Sequence, residues 1–235
     1  MAQRNGNLLD IGHRAAEILL ITGDDANMES SLLESMALVG RAADADRVQI
    51  WRNEAIDGVL HFVLAYEWLS DEGRKKTLVP KGLHFSYSQK TEWKSMFLRG
   101  EYINAPFSKL PPDDQDFLNA YDIRTLVIIP LFLHKEFWGF FSLDDCRRER
   151  VFSEDEIESL RSVSLMMSSA VNRHEQALRL QEAYGRVKML LDATPLVATL
   201  WDRNCRIFDC NGAALTLFGV ADTCEFVRRF DELSP

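Results

Sequence analysis

Long apolar runs are missing from this 235-residue chain. Nothing in it approaches the roughly 18 consecutive apolar residues of a membrane-spanning helix, since Pro130 and then His134-Lys135-Glu136 interrupt the best candidate. The opening MAQRNGNLLD lacks the charged leader, apolar block and small-residue cleavage site of an export signal, so a cytoplasmic protein is expected. Cysteine is scarce. Cys146, Cys205, Cys210 and Cys224 show neither C-x-x-C spacing nor the density of a secreted disulfide scaffold, which leaves reduced thiols as the expectation. Positive charge is also short: 27 Lys and Arg against 36 Asp and Glu give a net charge of -9, with no clustered basic face. That excludes nucleic acid as the natural partner, because binding it requires local neutralisation of phosphates. No nucleophile–base pair and no metal-ligand spacing is visible, so neither catalytic residues nor a bound metal is expected.

What is present is enough for about one and a half domains with a real core, 46% of the residues being hydrophobic. The periodicity predicts a first helix over 8–21, with Leu8, Ile11, Ala15, Ile18 and Leu19 on one stripe, ended by Thr22-Gly23-Asp24-Asp25. A second amphipathic helix follows over 27–43, carrying Leu32, Leu33, Met36, Leu38 and Val39. Residues 47–51 alternate as a strand, with Val48 and Ile50 on one side and Gln49 and Trp51 on the other. The turn signal Asp57-Gly58 then leads to a return strand over 60–69. Its even positions Phe62, Leu64, Tyr66 and Trp68 are expected to form one aromatic face.

The most informative stretch is 125–145, TLVIIPLFLHKEFWGFFSLDD. Two apolar runs around a short polar break read as an antiparallel hairpin, and both side-chain parities are apolar. Such a sheet is covered on both faces, by a helical layer on one and by a cap or ligand chamber on the other. Between the hairpins lies a long insert, 70–122. A short helix over 92–99 would turn Trp93, Met96 and Phe97 inward and stop at Gly100. Pro111-Pro112-Asp113-Asp114 would open another, proline suiting the first turn and acids its positive end, with Phe117, Leu118 and Tyr121 toward the sheet.

Ser153-Glu154-Asp155-Glu156 is a capping box, flanked by the staple pair Phe152 and Ile157, and it fixes the start of an exit helix. Ile157, Leu160, Met167, Val171, His174 and Leu178 then trace a seam suited to pairing with a second chain. Continued, that seam would reach Gln181, Gly185 and Lys188, whereas the apolar residues fall at Leu180, Tyr184, Val187 and Leu191. A slip of phase is therefore expected near Gly185.

Asp46-Arg47-Val48-x-Ile50-Trp51, Tyr66-Glu67-Trp68, Ile123-Arg124-Thr125 through Pro130, and Trp138-Gly139-Phe140 with Asp144-Asp145 together resemble the GAF family, in the form found in bacterial sensor histidine kinases. Past Val187, Asp192-Ala193-Thr194-Pro195, Trp201-Asp202-x-Asn204, Asn211-Gly212-Ala213-Ala214 and Phe218-Gly219 resemble the opening half of a PAS domain. In that segment strands are expected over 197–201 and 205–209, a helix from Asn211 and a further helix over 226–235. These resemblances imply an α+β fold, an antiparallel sheet covered by helices on both faces and flanked by long signalling helices. They divide the chain into an N-terminal signalling helix (1–26), a GAF sensor domain (27–174), a linker helix (175–188) and an incomplete PAS domain (189–235).

The function implied is that of a non-catalytic sensory domain of a signal-transduction protein. It binds a small molecule or a partner and relays the signal through a dimeric linker helix. The partners implied are a second copy of the chain, a small-molecule effector and a downstream kinase or other output domain. Trp51, Phe62, Tyr66, Trp68, Trp93 and Phe97 are the ligand-binding candidates, with no cofactor assigned. The alternative is a dimerisation or protein-interaction module whose pocket is collapsed.

Special chemistries within the family fit poorly. A covalent bilin commonly uses Cys-His, but Cys146 precedes Arg147. Methionine-sulfoxide reduction needs several GAF cysteines, and the cyclic-nucleotide set Asn-Lys-x-x-x-Phe-Asp-Glu is unmatched at 119–122. His61 or His84 as a haem ligand lacks any second haem signature. His174 reads as a seam position, because the basic residue and proline of a phospho-acceptor motif do not follow it. Asp144-Asp145 falls short of the six to eight oxygens of a calcium site, and pairing with Arg47 or Arg147, or capping a turn, is the better expectation.

Overall fold

A computed structural model describes residues 28–233 together with 11, 12, 14, 15 and 17–19, and of Phe117, Asp231 and Leu233 the backbone alone. The remaining positions of the expected first helix, Leu8 among them, lie outside the described residues; those described are helical, with Ala15 and Leu19 buried. Two compact units divide the chain, Met1–His174 and Glu175–Pro235.

In the first unit, α1 (Met28–Ala42) leads into β1 (Arg47–Ile56) and β2 (Val59–Leu69). The tight turn between the strands sets both Asp57 and Gly58 at positive φ, the twist that matches a hairpin's strands. The insert supplies β3 (His84–Ser86), α2 (Thr91–Leu98), β4 (Ile103–Pro106) and α3 (Pro112–Asn119). Then come β5 (Thr125–Leu133), β6 (Glu136–Asp145) and the long α4 (Glu154–Asp192), whose residues from Glu175 onward belong to the second unit. His134 and Lys135 form the β5–β6 turn, again both at positive φ. The six strands make one sheet in the order β3-β2-β1-β6-β5-β4, every pair antiparallel.

Each face of the sheet buries its own core. On one side, Val48, Ile50, Val127, Ile129, Phe141 and Leu143 pack under α1 and the first turns of α4. On the other, Trp51, Phe62, Leu64, Leu126, Ile128 and Phe140 pack under the insert. This is the α+β arrangement with both faces covered by helices that the apolar parities of 125–145 require.

The capping box is formed: the Ser153 N–H donates to Glu156 Oε2 at 2.8 Å, and the Glu156 N–H donates to Ser153 Oγ at 3.3 Å. The seam that follows it divides in two. Ile157, Leu160, Met167 and Val171 are buried against this unit's own sheet, so the expected pairing surface loses its first four members to the intramolecular core. A helix lying on a sheet shows the same three-and-four spacing as one lying on another helix.

In the second unit, β7 (Thr199–Trp201) and β8 (Ile207–Cys210) pair as a hairpin, followed by α5 (Gly212–Phe218) and α6 (Thr223–Leu233). Asn211 organises the turn before α5. Its Oδ1 accepts from the N–H groups of Ala198 and Ala214, while its Nδ2 donates to the carbonyls of Leu191 and Leu196. The last helix begins three residues before the expected position, because Asp222 caps it and Glu225 reaches back to the Ala221 N–H. Cys210, Ala214, Val220 and Phe226 are the small core.

Candidate functional site

The insert roofs a chamber over the second face of the sheet. Its aromatic walls follow from strand alternation: Trp51 stacks on Phe140 at 5.8 Å between ring centroids and meets Phe62 edge-on at 5.5 Å. From α2, Trp93 stacks on Phe62 at 6.3 Å, and Phe97 packs on both Trp93 and Phe140. The structure therefore brings Trp51, Phe62, Trp93 and Phe97 together in one cluster, with Phe97 backing the wall and not lining the cavity.

Tyr66 and Trp68 are not part of it, which corrects the expectation of one aromatic face from 62 to 68. Ile50 pairs with Tyr66 but Trp51 pairs with Leu64, so Ala65 is an extra residue in β2. A bulge of one residue reverses side-chain parity beyond it. Phe62 and Leu64 consequently face the chamber, whereas Tyr66 and Trp68 join the core under α1. Gly40 receives the Trp68 ring there: a Cβ on Gly40 would stand 2.1 Å from Trp68 Cζ3.

The roof is latched by a buried carboxylate whose place in the sequence points only to a helix start. Asp114 of α3 accepts from Lys90 Nζ at 2.7 Å and from Trp93 Nε1 at 2.8 Å, tying α3 to the entry of α2. Lys90 also sits 5.4 Å from the Trp93 ring centre, a cation–π contact. Beneath the roof the cavity is about 40 Å³. By the roughly 10–15 Å³ that one water needs, this admits a few waters or the head of a small molecule.

One end of the cavity is polar. Gln49, Ser142 and Asp144 line it beside Trp51, Val79, Tyr121 and the other apolar walls. Gln49 Oε1 accepts from Trp51 Nε1 and Ser142 Oγ, both at 3.1 Å, and its Nε2 donates to Glu67 Oε1 at 2.6 Å. The fully buried Arg47 donates to the carbonyls of Tyr121 (2.8 Å) and Thr77 (2.7 Å) and approaches Asp144 Oδ2 at 4.0 Å. Asp144 Oδ1 and Arg47 Nε, both buried, have no hydrogen-bond partner among the described residues. The neighbouring Asp145 turns the other way and caps the chain's exit, accepting from the Arg147 and Arg148 N–H groups. The signal for this pole lay in the polar parity of β1 and β6, Arg47 and Gln49 against Val48 and Ile50, Ser142 and Asp144 against Phe141 and Leu143.

Burial pushes the Asp144 carboxyl up to about 7, Arg47 opposing and Glu67 and Asp46 adding to the shift; Glu67 is raised too, again chiefly by burial. An unfolded aspartate titrates near 3.9, so between about pH 4 and 7 the unfolded chain releases a proton that the folded one keeps. Stability contributed at low pH is therefore lost as pH rises through that window, by up to about 4 kcal/mol for the whole shift. Asp144→Asn is expected to remove most of this slope, leaving the part due to Glu67. Urea unfolding at intervals from pH 4.5 to 8 measures it, and an unchanged slope in the variant would assign the effect elsewhere.

The other sequence candidates lie apart from the chamber. His61 and His84 meet edge-on at 5.4 Å near the β2–β3 edge, and no group of three His, Cys, Asp or Glu able to hold a metal occurs among the described residues. Cys146 is buried, and burial pushes its thiol up to about 12, opposite to what a reactive thiolate needs.

The sheet order, its two covered faces and the roofed chamber define a GAF domain, and the GAF domain model matches residues 27–171. The chain belongs to the GAF family. The methanogenesis regulatory histidine kinase FilI of Methanothrix harundinacea (strain 6Ac) is 26% identical over 186 residues, covering 79% of this chain and 21% of its own length. The chain thus spans about a fifth of that curated relative. Among solved structures, the phycocyanobilin-bound GAF domain from a cyanobacterial phytochrome aligns with a TM-score of 0.59 at 17% identity, covering 74% of this chain and 97% of that one. A phycoerythrobilin-bound GAF domain, also from a cyanobacterial phytochrome, gives 0.59 at 16% identity over 73% and 97%. At these identities the likeness is one of fold. No helix among the described residues is long and apolar enough to cross a membrane.

Proposed function

We propose that the chain is the sensory input portion of a histidine-kinase-type signalling protein. Residues 27–174 form a GAF sensor that binds a small molecule beneath its insert. The linker helix over 175–188 pairs with that of a second copy and passes the GAF state to a PAS domain begun at 189–235, upstream of a kinase in the same cytoplasmic protein. The single observation that carries the reading is the roofed chamber with a buried, unpartnered carboxylate oxygen at its polar end, an expensive arrangement in a core with no other task. Kinship to a histidine kinase supports the output, and the exposed Leu178, Leu180, Val187 and Leu190 support helix pairing. A bilin is disfavoured, because the cavity is far too small and Cys146 is buried. That small volume favours the second reading, a dimerisation or protein-interaction module whose pocket is collapsed and takes no small-molecule ligand.

The relay is tested in the full-length protein. Inserting seven residues after Arg179 keeps the helix phase and is expected to preserve regulated output, while inserting two rotates it and is expected to abolish regulation. Gly185→Ala, which meets nothing within 4 Å, stiffens the segment where the seam slips and is expected to hold output high or low. Equal tolerance of both insertions would make the linker a passive tether.

A further inference from the structure

We infer that the chamber takes a small organic cation, an alkyl- or arylammonium, whose head is held by Asp144 and whose apolar body lies against Trp51, Phe140 and Trp93. This rests on the ligand-binding reading above and adds the chemistry of the ligand. Among the described residues, the buried side-chain atom that lacks a partner on the cavity lining is an acceptor, an oxygen of Asp144. Asp144 is 2% exposed, lines the cavity and has an oxygen without a partner. Two of the other lining polar groups already have partners: Ser142 donates to Gln49, and the Gln49 amide donates to Glu67. Arg47, the nearby cation, directs two nitrogens at the Tyr121 and Thr77 carbonyls, and it is not among the residues lining the cavity. Two carboxylates, Asp144 and Glu67, therefore stand against one guanidinium. An entering carboxylate or phosphate would meet the Asp144 carboxylate, with the Arg47 guanidinium set behind the lining, whereas an ammonium supplies the donor that Asp144 Oδ1 lacks and restores the charge balance. The walls suit the rest of such a molecule, since the faces of Trp51, Phe140 and Trp93 attract both apolar groups and cations. The small cavity selects a small body, and Trp93, held by its latch to Asp114, is one of the walls that a larger one would press on.

The experiment uses the 235-residue chain at pH 8 with butylamine and benzylamine, matched against 1-butanol and benzyl alcohol and against butyrate and benzoate. Thermal unfolding is expected to rise by about 2 °C or more with a millimolar amine and not with its neutral or anionic isostere. Asp144→Asn is expected to abolish the amine response, with circular dichroism reporting whether the variant is folded. The comparison of isosteres on the unaltered chain stands even if the variant does not fold. A neutral or anionic isostere that binds as well as its amine overturns the cation assignment while upholding the chamber. Silence from all six compounds overturns the assignment, and silence across a broad metabolite library as well removes the ligand-binding reading itself.

Discussion

Asp114→Ala is expected to destabilise the first unit by about 3–5 kcal/mol, the usual penalty for removing one partner of a buried ion pair. Asp114 and Lys90 are both nearly inaccessible, with side-chain exposures of 11% and 9%. Losing the carboxylate takes the buried counter-charge from the Lys90 ammonium, whose other contacts include the Asp113 carbonyl at 3.0 Å and the face of Trp93, and it removes the oxygen that accepts from Trp93 Nε1. Because the same carboxylate holds α3 against α2, tryptophan emission should shift to the red before global unfolding. Urea unfolding followed by fluorescence and by circular dichroism measures both effects. A loss below about 1 kcal/mol would show that the Lys90 ammonium reaches water when released. The companion variant Lys90→Met tests the opposite limit, since an uncharged chain of similar length removes the stranded cation and is expected to be milder.

Gly139→Ala should be at least as damaging. A Cβ at this position would stand 2.1 Å from the Trp51 carbonyl oxygen and 3.0 Å from Arg52 Cα, both backbone atoms of β1. Gly139 pairs with Arg52 on one side and with Leu131 on the other, and β1 is itself held by β2. No flexible side chain can yield, so the ladder itself has to part. Loss of more than about 3 kcal/mol is expected, or a fall of about 6–12 °C in Tm for a unit of this size. A Tm within 2 °C of the unaltered chain would mean that β6 shifts without strain, and the tight β1–β6 contact would then have no structural weight.

Much of this architecture is legible in the residues because local and long-range demands agree there. The two apolar parities of 125–145 require a sheet covered twice, and Ser153 with Glu156 fixes where α4 starts. The chamber is harder to read. Nothing in the alternation of Phe62, Leu64, Tyr66 and Trp68 announces that Ala65 is surplus, since a bulge is specified by the partner strand's register and not by its own side chains. Asp114 has two uses that look alike in one dimension, favouring a helix start and accepting from groups 21 and 24 residues away. Arg47 and Asp144 are charged residues inside strands, and their burial becomes visible only when the insert is laid over them.

Arg47 has a further consequence for motion. Its two terminal nitrogens grip Thr77, near the start of the insert, and Tyr121, near its end, so one side chain on β1 pins both ends of a segment more than forty residues long. Neither end can lift alone without leaving a buried guanidinium short of an acceptor. The roof therefore opens as a single cooperative unit, and amide hydrogens on both flanks should exchange with deuterium at a common rate set by that opening and not by local fraying.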